Sequence, residues 1–80
     1  MFDLEDAKLE KHSVSIAGHR TSVSLERIFW RHLKCLALEQ EISLHELIRL
    51  IDEARGGSLS GALRVYVMSN LRPSTEKPES

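Results

Sequence analysis

Between Ser13 and Leu25 the chain alternates polar and apolar residues with a period of two, and this pattern restricts the possible folds more than any other feature. Ser-Val-Ser-Ile occupies Ser13 to Ile16, Ala17-Gly18 interrupts, and Thr-Ser-Val-Ser-Leu resumes the pattern from Thr21 to Leu25. Side chains in a strand point alternately to opposite faces, so Val14 with Ile16, and Val23 with Leu25, form apolar faces, while serines and Arg20 lie opposite. A strand this short carries a row of backbone N–H and C=O groups that need partners. Two partners are open to it. Ser13–Ile16 folds back around Ala17-Gly18-His19 as a hairpin, or the same strand of a second subunit pairs with it.

After Leu25 the period lengthens to that of a helix. Ile28, Phe29, Leu33 and Leu36 fall on one face, widened by Trp30, Ala37 and Leu38, which predicts a helix to about Glu39. Arg27, Arg31 and Lys34 follow at i, i+4, i+7 as a cationic stripe. Ser43-Leu44-His45-Glu46 reads as a capping box that starts a second helix near Leu44, with Leu44, Leu47, Ile48 and Ile51 as its apolar face. Gly56-Gly57 supplies a left-handed stop. Ser58 or Ser60 caps a third helix, whose face is Leu59, Ala62, Leu63, Tyr66, Val67 and Leu71, and Pro73 prevents its continuation. Val65 and Met68 lie partly off that face, exposed or against a second chain. Residues 1–12 read as a mobile arm and residues 73–80 as a disordered tail, leaving one folded unit over 13–72.

An 80-residue chain has room for one small core. Cys35 is the only cysteine, so no internal disulfide supplements that core. The N-terminus is acidic where a secretory signal is basic, and no apolar run approaches the length of a membrane span, so a cytoplasmic address is expected. The net charge of −1 conceals a division. Residues 1–10 sum to −3 and residues 35–80 to −2, whereas residues 11–34 carry Lys11, Arg20, Arg27, Arg31 and Lys34 against Glu26 alone, for +4. A basic middle of this kind suits an anion-binding face, though solvation explains many such runs.

Catalytic chemistry finds little to stand on. His12, His19, His32 and His45 are scattered over an arm, a turn and two helices, so neither their spacing nor that of Cys35 matches a zinc site. Cys35 reads as a small core residue of the first helix. Gly56-Gly57 lacks the lysine and preceding strand of a phosphate loop. No enzyme, no metal and no cofactor is expected.

The stretch from His19 to Trp30 (HRTSVSLERIFW), followed by Ile42-Ser43-Leu44-His45-Glu46-Leu47-Ile48 and by Gly57 to Val65 (GSLSGALRV), resembles the ribbon-helix-helix superfamily of Arc- and MetJ-type repressors, in particular a small bacterial group sharing this layout. The resemblance covers about residues 13–72. It implies a mostly helical fold with a short β ribbon, in which two chains pair their strands antiparallel and share one core. It places Arg20, Ser22 and Ser24 against base edges in the major groove, and His19, Ser43, Leu44 and His45 at phosphates. Val23, Leu25, Phe29, Leu33, Leu36, Leu47, Ile48 and Ile51 would form the dimer core. Ser13–Ile16 and the third helix exceed the minimal strand-helix-helix plan. The function implied is that of a homodimeric DNA-binding transcriptional regulator or antitoxin-like autoregulator in the bacterial cytoplasm. The alternative is a dimeric adaptor that binds another protein through the third helix or the tails.

Overall fold

The alternating segments become one antiparallel hairpin. In a computed structural model that describes residues 4–71, strand β1 (Leu9–Ile16) pairs along its length with β2 (His19–Glu26), with Val14 opposite Thr21 and Ser13 opposite Ser22. Ala17 (φ 53°) and Gly18 (φ 82°) make the turn. Positive φ at both central residues is the type I′ pattern, whose twist matches that of the flanking strands. Of the two pairings open to the sequence, the chain therefore forms the hairpin. The arm expected up to residue 12 is corrected: Leu4–Ala7 form a 3-10 turn and Leu9–His12 are the first half of β1. The tail at 73–80 lies outside the described residues.

The early half of β1 escapes a reading based on alternation because its inward positions, Glu10 and His12, are polar. Both are accommodated by α1 (Arg27–Glu39). Trp30, buried, donates its indole N–H to the carbonyl of Glu10 (2.9 Å) and stacks on the His12 ring with centroids 4.0 Å apart. Arg27 Nε lies 3.3 Å from the Glu10 carboxylate. Trp30, Leu33 and Ala37 form the buried stripe of α1, whereas Leu38, expected to widen it, is 78% exposed. Cys35 is also exposed, not a core residue.

Helix α1 ends without glycine. Ile42 N–H donates to Ala37 O (3.1 Å) and Glu41 N–H to Leu38 O (3.0 Å), a Schellman arrangement with Glu41 itself at φ 59°. Helix α2 (Leu44–Ala54) begins at Ser43, whose hydroxyl accepts from Glu46 N–H (3.0 Å). The reciprocal half of the expected capping box does not form, because the Glu46 carboxylate is taken by Arg49 (2.6 Å). That guanidinium holds the Glu46 carboxyl below its usual range. Nor does a left-handed glycine stop α2; Arg55, in extended conformation, follows its last turn. Helix α3 (Leu59–Ser69) is capped by Ser58, which accepts from Gly61 N–H (3.1 Å).

The three helices cover one face of the hairpin. Val14, Ile16, Val23 and Leu25 meet Trp30, Leu33, Leu47, Ile48, Leu63 and Val67 in one cluster. No buried polar or charged residue interrupts it among the described residues.

Candidate nucleic-acid interface

The register of the hairpin decides which side chains point away from the helices. On β2, Arg20 and Ser22 are exposed and Ser24 is half-buried, alternating with buried Val23 and Leu25. Their cross-strand partners on β1 are Ser15, Ser13 and Lys11. The outward face is thus a field of four hydroxyls with a cation at either end. The nearest acid on β2, Glu26, is engaged by Arg64 Nε of α3 (3.0 Å), and that ion pair and the backbone keep its carboxyl below the usual range. Lys11 lies within the stretch expected to be an arm, and its signal in the sequence is that Lys11, Ser13 and Ser15 continue the polar row at a spacing of two.

Much of the apparent positive charge lies elsewhere and is paired. Arg31 grips Asp6 of the N-terminal turn through both guanidinium nitrogens, one at 2.9 Å, and Arg27 reaches both Glu5 (3.2 Å) and Glu10. The Arg31 hydrogen bond, with its charge, holds the Asp6 carboxyl below its ordinary value. The stripe on α1 is therefore largely neutralised by the acidic N-terminus, and of the basic middle it is Arg20 and Lys11 that stand on the sheet.

The remaining candidates occupy two places. His19 opens β2 opposite Ile16, beside the turn. Ser43, the N-cap, with Leu44 and His45 stands at the start of α2, next to β1: His45 Nε2 accepts from the backbone N–H of Ser15 (3.4 Å). The outer edge of β2 faces a cleft of about 690 Å³, bounded across from the strand by Asp52, Arg55, Leu59 and Ser60. Of the residues assigned to a dimer core, Val23, Leu25, Leu33, Leu47, Ile48 and Ile51 are already buried within one chain, while Phe29 and Leu36 are half-buried. The four histidines and Cys35 do not converge, and among the described residues no group of three metal-ligating side chains is assembled.

The sequence profile of the ribbon-helix-helix domain matches residues 9–71. The chain belongs to the ribbon-helix-helix family. That match includes all of β1 and α3, so the hairpin and the third helix, additions to the minimal strand-helix-helix plan, lie inside the domain. Ribbon-helix-helix proteins are in general DNA-binding transcription regulators and antitoxins. Among solved structures, an uncharacterised protein from Bordetella pertussis Tohama I is similar at a TM-score of 0.75 and 26% identity over 84% of this chain. This chain spans 58% of the length of that one. No curated protein matches the sequence. No helix among the described residues is long and apolar enough to cross a membrane.

Proposed function

We propose that this ribbon-helix-helix protein is a homodimeric, sequence-specific DNA-binding regulator of transcription, an antitoxin-like autoregulator being one form of that role, acting in the bacterial cytoplasm. The observation that carries the reading is the outward face of β2, where Arg20 and Ser22 are exposed and Ser24 half-buried, alternating with the core residues, in a family that generally binds DNA. Arginine makes paired hydrogen bonds to guanine, whereas a serine hydroxyl donates or accepts and discriminates less. Base readout then rests mainly on Arg20, two copies per dimer. The dimer forms by antiparallel pairing of the two β2 strands, each entering the cleft along the other's outer edge. His19 and the start of α2, with the N–H groups of Leu44 and His45, serve as phosphate contacts.

The test is a titration of selected and random duplexes with wild type and Arg20→Ala. The exposed arginine leaves the melting temperature unchanged when removed, and affinity for a preferred site falls by about 1–3 kcal/mol. Wild type that binds no duplex at low salt refutes the proposal. A second reading, a dimeric protein adaptor, draws on the apolar groove of about 760 Å³ between α2 and α3, near which Leu50 (41%) and Val65 (64%) remain exposed. That reading moves ahead if DNA binding is absent.

A further inference from the structure

Pairing of two β2 strands across a dyad yields more than a two-stranded ribbon here, because each β2 already carries β1 on its other side. The sheet has four strands, in the order β1, β2, partner β2, partner β1. Neighbouring strands lie about 4.8 Å apart, so the axes of the outer two are about 14 Å apart. The major groove of B-form DNA is about 12 Å wide. The central pair fits between its walls; the outer pair does not, and comes to rest over the sugar-phosphate backbones on either side.

The chemistry of β1 suits that position. Its outward residues are Leu9, Lys11, Ser13 and Ser15, all exposed, and the last three, which are polar, are in register with Ser24, Ser22 and Arg20 of β2. Lysine is a point charge suited to phosphate, and hydroxyls donate to phosphate oxygens without reading sequence. Lys11 has no carboxylate partner among the described residues, unlike Arg27 and Arg31. The start of α2 lies beside the same strand, with the His45 ring against the backbone of Ser15.

Resting on the DNA-binding reading, we propose that β1 is a phosphate-binding flank, with Lys11, Ser13 and Ser15 of each chain seated on the backbones bordering the groove that β2 reads. The flanks set how far the sheet descends, limiting base contact to the central strands. Specificity and affinity are thereby divided between the strands: β2 selects, β1 holds.

The experiment measures binding of preferred and random duplexes over a range of salt concentrations, for wild type, Lys11→Gln, Arg20→Ala and, as a control cation on α1, Lys34→Gln. Each phosphate contact contributes about 0.9 to the slope of log affinity against log salt. Loss of Lys11 from both chains lowers that slope by about 1.8 and weakens all duplexes by the same factor, leaving the ratio between preferred and random sites intact. Arg20→Ala reduces that ratio. Lys34→Gln retains the wild-type slope, and the melt of Lys11→Gln matches wild type. If wild type binds DNA but Lys11→Gln keeps the wild-type slope, β1 does not touch the backbone and the inference is overturned while the DNA-binding reading survives. If wild type binds no duplex, both fall.

Discussion

Replacing Trp30 by phenylalanine tests how β1 is held to the helices. Two contacts depend on the indole: its N–H donation to Glu10 O at 2.9 Å and its stack on His12 at 4.0 Å. Phenylalanine retains a ring but loses the donor. The Glu10 carbonyl keeps its place opposite Leu25 in the ladder and loses its second hydrogen bond, which costs about 1–1.5 kcal/mol. The smaller ring leaves a void in the buried cluster, worth about 1 kcal/mol more. A loss of about 2–2.5 kcal/mol follows. For a domain of this size that is a fall of about 10–20 °C in melting temperature. Trp30 is the only tryptophan, so unfolding is followed by far-ultraviolet circular dichroism in urea and on heating. A cycle of Trp30→Leu, which leaves no ring at this position, with His12→Ala isolates the stack, with a coupling of about 0.5–1.5 kcal/mol expected. A loss below about 1 kcal/mol, or zero coupling to His12, refutes the account of why a strand with polar inward residues is held there.

Further expectations concern the helix ends and the core. Glu41→Gly relieves a left-handed side chain at the end of α1 and raises stability by about 0.5–1 kcal/mol, read from a urea midpoint shifted upward at constant slope. Ser43→Ala removes the acceptor for Glu46 N–H and costs about 1 kcal/mol in the same measurement. Leu33→Ala, at a position with no exposed surface, costs about 2–5 kcal/mol. Asp6 titrates below its ordinary value because Arg31 hydrogen-bonds to its ionised form, so its contribution is complete above the unfolded pKa and is lost as pH falls through the folded one. Asp6→Asn therefore flattens the decline in melting temperature below about pH 5. An unchanged decline in the variant argues against the ion pair as its source.

What the sequence discloses and what it conceals differ for physical reasons. Periodicity locates β2 and all three helices, since Val23, Leu25, Leu47, Ile48, Leu63 and Val67 are apolar where the core needs them. Caps at Ser43 and Ser58 are legible because they are local chemistry. Leu9–His12 are not, since a strand whose inward residues are glutamate and histidine is stabilised by a tryptophan distant in the chain. The end of α1 is hidden in detail for a related reason: its left-handed residue is a glutamate, held by backbone bonds from Glu41 and Ile42. The outward row Arg20, Ser22 and Ser24 follows from alternation alone, but its extension through Lys11 depends on finding where β1 begins.

The self-paired strand changes how two copies meet. Each chain closes its own hairpin and buries its own apolar cluster through contacts that link neighbouring elements, so in the dimer proposed above folding would precede assembly and dilution would release intact protomers. Association of that proposed dimer would join finished surfaces, and subunits of different but related sequence would be able to exchange between pairs after synthesis. A cell holding two such chains would contain mixed pairs with two different reading strands, and with them a third target site composed of unlike halves.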